Sequence, residues 1–504
     1  MTTDTFASLI RAHAAARPDA PALTFEARTQ RFGDLHAASS RIAQLLAAHG
    51  VGAGDRVAML SRNRAEFFQV IIAASKLGAV VVGLNWRLSP REIGEILADA
   101  DPAVLIVDDT GAALVQGLAV PYPVLAFGAG FDAMVAAQPD TDPGHTGAPD
   151  EVALILYTSG TTGRPKGVML TNRGMSYTRQ LAREWGMSEQ SVNLVAMPLF
   201  HIGGCGYGSS TMMAGGHTVL MPEVRVPDIL ALIPQYRVTH TFLVPSVVQM
   251  LLNAPEVDGA DLSSLQLLMY GAAPMGDVLL RRAITVLGCN FMHAYGMTES
   301  SGTVAILRPD AHDPDGPNPH LLKSCGRAMP WVELRVMDAE GEPAPAGTTG
   351  ELWIRSPMLM AGYWRNPQAT AAAITPDGWF RSADAAQMDS DGHVFLIDRM
   401  KDMIISGGEN IYPAEIENVL NGHPAVAQVG VIGVPHDRWG ETPLAAVVLR
   451  PGTQATEDDL RAYTRANLAT YKCPSRFIFV PELPRNASGK LLKPEMRRLW
   501  GTGA

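Results

Sequence analysis

The chain has 504 residues, 47% of them apolar and 18% charged, with a net charge of −10 at neutral pH. That length exceeds one ordinary core and predicts two to four units of roughly 100–200 residues, and the composition excludes a disordered chain. The negative balance argues against nucleic acid as a primary partner, and no apolar run approaches the ~20 residues that span a bilayer.

Helical and strand-like stretches alternate from the start. FASLIRAHAAARP has helical spacing and ends at a proline. RIAQLLAAHGVGAGDRVAMLSRN reads as helix, Gly-rich turn and strand; EFFQVIIAASKLGAVVVGLN and REIGEILADADPAVLIVDD repeat that order. HTVLMP, VTHTFLVP and LQLLMYG carry the theme to about residue 300. Repeated units of this kind predict an α/β fold of mostly parallel sheets covered by helices.

After Ser324 the pattern changes. WVELRVMD, GELWIRS and GHVFLIDR are short strands between Gly, Pro and Asp turns. Beyond Arg399, AEIENVLNGHP, VAQVGVIGVP, LAAVVLRP, EDDLRAYTRANLATY and SRFIFVPELP describe a compact α+β unit. The expected organisation is a large N-terminal domain over 1–398, with a β-rich subdomain at about 324–398, and a small C-terminal domain over 399–504. Residues from 399 onward carry 13 Lys and Arg against 11 Asp and Glu, leaving −12 on the remainder. A mildly basic cap beside an acidic body suits the handling of anions.

The start MTTDTFASLIRAHAAARPDA has no basic stretch followed by a long apolar block, so no secretory signal is expected. Cys205, Cys289, Cys325 and Cys473 stand far apart without a Cys-x-x-Cys pair. That spacing argues against a disulfide framework or a zinc site and points to a reducing cytoplasm.

One stretch is chemically dense. YTSGTTGRPKGVMLTN, Tyr157 to Asn172, follows the apolar run VALIL. Glycines let backbone N–H groups approach an anion, while Thr, Ser and Lys add donors, which is what a phosphate cradle needs. A plain surface turn collects the same residue types, and the residues alone leave both readings open. It is not a Walker A loop, because Pro165 precedes Lys166 and Gly167 follows it.

The string resembles the AMP-binding signature of the adenylate-forming superfamily, which includes acyl-CoA synthetases, luciferases and peptide-synthetase adenylation domains. Further motifs follow in the family's order: PLFHIGG, YGAAPM, AYGMTES, GELWIRSPMLMAGYWRNP, DGWFRSADAAQMDSDGHVFLIDR, DRMKDMIISGGENIYPAEIE and PRNASGK. The resemblance covers nearly the whole chain. It implies activation of a carboxylic acid by ATP, with Mg²⁺, to an acyl-adenylate and pyrophosphate, then transfer of the acyl group to CoA.

By that resemblance, Thr158, Ser159, Gly160, Thr161, Thr162, Gly163 and Lys166 hold the terminal phosphates. Glu299 binds Mg²⁺ and Thr298 meets the α-phosphate. Gly271, Ala272, Ala273 and Pro274 line the adenine, on which Tyr295 stacks beside Gly296 and Met297. Asp384 receives the ribose hydroxyls, with Arg399 assisting. The usual T-G-D reads Ser382-Ala383-Asp384 here, which puts a Cβ where glycine is usual. Lys490 is the expected catalytic lysine and Lys401 the hinge about which the C-terminal unit rotates. Ser406, Gly407 and Gly408 border the pantetheine tunnel, with Trp439 and Tyr471 at the CoA nucleotide. Cys473 stands where some relatives have arginine.

By the same resemblance, His201 is expected to gate an acid pocket formed by Gly203, Cys205, Val244, Val247 and Met297. Its small residues leave room, and no carboxylate stands there to receive an amine. A fatty acid of medium or long chain, or an aromatic acid, is therefore expected over an amino acid. The sequence does not choose between them. It also leaves open a luciferase-like oxygenase, an amino-acid adenylation domain or a non-catalytic paralogue, peripheral membrane contact and a homodimer.

Overall fold

In a computed structural model of the chain, the described residues are 4–158, 165–273, 275–399, 402–406, 409–436, 439–468, 470–486 and 490–501. Among them the strands form four sheets. The fold is mixed α/β, with a large N-terminal part and a smaller C-terminal part.

A seven-stranded sheet has five parallel strands at its centre and one edge: Val152–Thr158, Val80–Leu84, Arg56–Leu60, Val104–Val107 and Val124–Ala126. VVVGL and VLIV are buried throughout, as strands covered on both faces must be. Lys166–Thr171 and Gly362–Tyr363 extend this sheet antiparallel at the other edge. The helices between strands begin on local signals. Ser89 caps Pro90–Ala100, with proline in its first turn and Glu92 closing the capping box. Thr5 caps Phe6–Ala16 in the same manner.

A nine-stranded sheet is parallel from Leu23 to Ala294, through His217–Leu220, Val192–Val195, His240–Leu243, Leu267–Gly271 and Asn290–Met297. One large apolar core joins the two sheets. A four-stranded antiparallel sheet follows, made of Glu333–Met337, Gly350–Arg355, Phe380–Met388 and Val394–Arg399. The Gly362–Tyr363 strand leaves this stretch of chain to join the seven-stranded sheet, which carries Tyr363 to the hairpin around Lys166.

The strands Ile404–Ser406, Glu409–Ile411, Val426–His436, Gly440–Leu449 and Arg476–Phe479 form a fourth sheet. Its apolar residues, Ile404, Ile416, Val431 and Phe477 among them, pack into a core of their own. The C-terminal part therefore does not borrow its stability from the larger core.

Candidate functional site

The phosphate motif sits on a hairpin. Val152–Thr158 pairs antiparallel with Lys166–Thr171, and Thr158 and Lys166 face each other in the ladder. Ser159, Gly160, Thr161, Thr162 and Gly163 lie outside the described residues. The Lys166 Nζ stands 5.0 Å from the centre of the Tyr363 ring, within cation–π range. The Tyr363 hydroxyl donates to Glu299 Oε1 at 3.1 Å, and the Met360 N–H donates to the Glu299 carbonyl at 2.8 Å. Three distant segments thus bring Lys166, Tyr363 and Glu299 together. Thr298 opens the short turn Thr298–Ser300 beside them.

The loop expected to line adenine leaves the end of the Leu267–Gly271 strand. Gly271 is obligatory there, since a Cβ would lie 2.2 Å from the Ala294 carbonyl oxygen. Ala272 follows at φ +63°, in the left-handed region that disfavours residues with a Cβ. Ala273 continues the turn, and Pro274 lies outside the described residues. On the next strand Tyr295 is buried, and its hydroxyl donates to Asp384 Oδ2 at 2.6 Å. Gly296 and Met297 complete that strand.

The segment expected to receive the ribose carries strain. Ala383 has φ +56°, while its N–H donates to Glu351 Oε1 at 3.1 Å and the Asp384 N–H donates to Ser382 Oγ at 3.0 Å. The Cβ at the usual glycine position is accommodated without losing the turn. Arg399 is the ladder partner of Asp384; its side chain lies outside the described residues.

Beneath the adenine strand, Tyr270 stacks on His293 at 4.7 Å and shares a 3.1 Å hydrogen bond with His312 Nε2. His312 Nδ1 contacts the Arg308 carbonyl at 2.8 Å, so with Nδ1–H donating there, Nε2 accepts from the Tyr270 hydroxyl. Burial lowers both histidines to a pKa of about 4, against the pull of their carbonyl partners.

On the acid side, His201 precedes the helix Ile202–Met213. Its Nε2 is buried without a hydrogen-bond partner, and burial, with Arg87 nearby, lowers its pKa to about 4. Gly204 lets the chain turn tightly, because a Cβ there would lie 1.9 Å from the Pro198 carbonyl oxygen. Cys205, Val244 and Val247 are buried, and burial pushes the Cys205 thiol up to about 12. Gly203 faces the Phe242 ring, and Met297 is half-buried. An open cavity of about 970 Å³ adjoins this region, bounded by Arg87, Val244 and Val247 on one side and Arg450, Arg485 and Asn486 on the other.

In the C-terminal part, the Lys490 N–H donates to Asn486 Oδ1 at 2.8 Å on an exposed turn, next to the Asn486 that lines the cavity. Ser406 pairs with Gly440 in the C-terminal sheet, and Trp439 is 44% exposed. Lys401, Gly407 and Gly408 lie outside the described residues, as does the side chain of Tyr471. Cys473 is half-buried and its N–H donates to the Thr470 carbonyl at 3.2 Å.

Three contributors escaped sequence reasoning. Tyr363 was visible only as part of GYW, and its role follows from the crossover of its strand to the seven-stranded sheet. Glu351 reaches Ala383 across 32 positions. Phe242 lies between Gly203 and Gly271; its stretch, HTFLVPSVV, reads as lining the acid pocket, but the residue itself is not singled out. The sequence holds no local signal for the contacts these three make.

Helix-covered parallel sheets, a Thr/Gly/Lys hairpin and a tyrosine–carboxylate pair at the strand ends define a nucleotide-using enzyme of the AMP-binding class. The protein belongs to that family: residues 10–364 match the AMP-binding enzyme family and residues 415–490 the AMP-binding enzyme C-terminal domain. It is 39% identical over 503 residues to the fatty acid–[acyl-carrier-protein] ligase ScoC of Streptomyces coeruleorubidus, covering 98% of this chain and 96% of the relative. It is also 39% identical over 486 residues to a feruloyl-CoA synthase of Amycolatopsis sp, covering 96% of each. Among solved structures, the o-succinylbenzoate CoA synthetase of Bacillus subtilis, in complex with its acyl-adenylate intermediate, superposes with a TM-score of 0.87. That match has 32% identity and covers 97% of each chain.

Proposed function

We propose that the protein is an acid–thiol ligase that activates a hydrophobic carboxylic acid with ATP and transfers the acyl group to CoA. The observation that carries this reading is a pair of linked contacts, Lys166 on Tyr363 and Tyr363 on Glu299, with Tyr295, four residues before Glu299, bonded to Asp384. Thr158 and Tyr295 stand near the carboxyl ends of strands with parallel neighbours, where open α/β sheets bind ligands.

In the first half-reaction a carboxylate oxygen attacks the α-phosphorus and the bond to pyrophosphate breaks. Two anions must meet, so positive charge and fixed donors matter most. Lys166 and residues Thr158–Gly163 would hold the β- and γ-phosphates, Thr298 the α-phosphate, and Asp384 with Arg399 the ribose. Tyr295 and Gly271–Pro274 would enclose the adenine. Lys490 would bring its charge to the carboxylate and α-phosphate oxygens.

Among the described residues no group of three or more His, Cys, Asp or Glu is placed to hold a metal ion. A single carboxylate, Glu299, suits Mg²⁺, which is commonly bound through one or two carboxylates together with substrate phosphates. The ion would neutralise phosphate charge there.

In the second half-reaction a thiol attacks the acyl carbon and AMP leaves. Rotation of the C-terminal part, 399–504, about Lys401 would withdraw Lys490 and present Ser406, Gly407 and Gly408 to the pantetheine arm, with Trp439 and Tyr471 at the CoA nucleotide. One orientation per half-reaction reconciles both chemistries with one cleft. No described helix is long and apolar enough to cross a membrane, and all four cysteines are free thiols; the reading places the reaction in the cytoplasm.

The relative that loads a carrier protein supports a second acceptor, a carrier-bound pantetheine, and Cys473 in place of an arginine favours it too. Pyrophosphate release with ATP, Mg²⁺ and a panel of acids tests the enzyme reading; folded protein that releases none with any acid would overturn it. Comparing thioester formation with CoA and with a phosphopantetheinylated carrier protein decides the acceptor.

A further inference from the structure

The helix Ile202–Met213 packs on the strands Val192–Val195 and His217–Leu220. Thr218 Oγ1 donates to the Gly208 carbonyl at 3.2 Å, and Val195 reaches 3.0 Å from the Cβ position of Gly208, so both side chains face the helix. Side chains alternate along a strand, which puts Asn193 on the same face as Val195. Asn193 is the ladder partner of Thr218 on one side and His240 on the other, and Phe242, two residues on from His240, shares that face.

A row of rings runs inward under this helix. The Phe242 ring lies 3.4 Å from the Cβ position of Gly203 and 3.5 Å from that of Gly271, so it spans the gap between the acid side and the adenine loop. Tyr207 follows with its ring centre 5.4 Å from that of Phe242, and Trp185 a further 5.4 Å on. All three are buried. The polar atoms at the inner end of the row are unusual: Tyr207 Oη, Trp185 Nε1 and both amide atoms of Asn193 are buried without a hydrogen-bond partner. Neighbouring polar groups are satisfied. His240 contacts the Trp185 carbonyl at 3.2 Å and Thr239 Oγ1 at 2.7 Å, and Ser209 and Ser210 donate to the Gly206 carbonyl.

An unpaired buried donor is destabilising, and native structures hold few of them. Several of them beyond a row whose outer ring touches the Cβ positions of both Gly203 and Gly271 call for an occupant that brings its own oxygen. Burial keeps the Tyr207 phenol protonated, so it can donate to that oxygen or accept from it. The indole can only donate.

We infer that Tyr207, backed by Trp185, forms a hydrogen-bonding floor to the acid site and selects carboxylic acids that carry a hydroxyl or ether oxygen at the end remote from the carboxylate. The inference rests on the acid pocket of Gly203, Cys205 and Val244 proposed above, and it narrows the substrate from hydrophobic acids in general to those with a polar far end. Tyr207 would act on specificity, not on the reacting atoms.

The test is kcat/KM for pyrophosphate release with matched acids: benzoate and 4-hydroxybenzoate, cinnamate and 4-hydroxycinnamate, hexanoate and 6-hydroxyhexanoate. The expected result is preference for the hydroxylated member in at least one pair, with the ratio within that pair falling about tenfold in Tyr207→Phe. Trp185→Phe should reduce the same ratio and serves if Tyr207→Phe does not fold. Preference for the plain member in every pair, or equal losses for both members in the variants, overturns the inference while leaving the ligase intact. Absence of release with these six acids while a plain medium- or long-chain fatty acid is activated overturns the inference alone; absence with every acid overturns the ligase reading, and the inference falls with it.

Discussion

The Tyr295 hydroxyl donates a 2.6 Å hydrogen bond to Asp384 Oδ2, joining residues 89 positions apart on two different sheets. Both side chains are buried. The bond fixes the ring expected to stack on adenine to the carboxylate expected to receive the ribose, so one contact sets the spacing of both halves of a nucleoside. Tyr295→Phe should lower unfolding stability by about 1–3 kcal/mol by removing a donor from a buried carboxylate, and raise KM for ATP without altering KM for the acid. Urea denaturation and initial-rate kinetics read the two effects. A variant with unchanged stability and unchanged KM for ATP would contradict the coupling.

Ala383 occupies the left-handed region at φ +56°, beside that same carboxylate. A residue with a Cβ pays roughly 1–2 kcal/mol there, while glycine gives up more backbone freedom on folding. Ala383→Gly should therefore stabilise the protein by about 1 kcal/mol, seen as a rise in the thermal midpoint. A fall in the midpoint would mean that the Ala383 methyl makes contacts worth more than the strain.

The buried histidines His240, His293 and His312 all have a pKa lowered to about 4, chiefly by burial. The folded state keeps them neutral, while the unfolded chain protonates them near 6.5. Their contribution is fully present above pH 6.5 and is lost as the pH falls toward 4. Each histidine can withdraw up to about 1.4 kcal/mol per pH unit across that window. Urea midpoints should hold steady from pH 8 to 7 and drop steeply between pH 6 and 5. For His312, protonation also removes the acceptor of the Tyr270 hydroxyl. Constant stability from pH 7.5 to 5 would contradict neutral burial.

Lys490→Ala should slow adenylation by ~10²–10³, comparable to losing a transition-state donor. Thioester formation from a supplied acyl-adenylate should be spared, because the proposed second orientation removes Lys490 from the cleft. Rapid-quench measurement of the two half-reactions separates them. Equal loss in both would sink the assigned role.

How much of this was legible in the sequence follows the range of the interactions. The alternation that predicted α/β sheets is local, and the VVVGL and VLIV strands lie buried in a parallel sheet. The motif residues Lys166, Glu299, Tyr295 and Asp384 could each be named from short strings, but not their contacts. Tyr363 mediates between Lys166 and Glu299 only because a two-residue strand crosses from a β-rich stretch into another sheet, a pairing that no periodicity announces. The strain at Ala383 was foreseeable as a Cβ at a glycine position; the Glu351 carboxylate that receives its N–H was not. The ring row Phe242–Tyr207–Trp185 joins three separate elements, so its unpaired donors emerge only from packing.

The central claim is that an oxygen of the acid becomes bonded to the α-phosphorus of ATP before a thiol takes the acyl group. Acid labelled with ¹⁸O in its carboxylate, turned over with ATP, Mg²⁺ and CoA, tests this directly by mass spectrometry of the nucleotide product. The account predicts AMP carrying one ¹⁸O atom from the acid, with unlabelled pyrophosphate. Unlabelled AMP, or ADP with labelled inorganic phosphate, would contradict it.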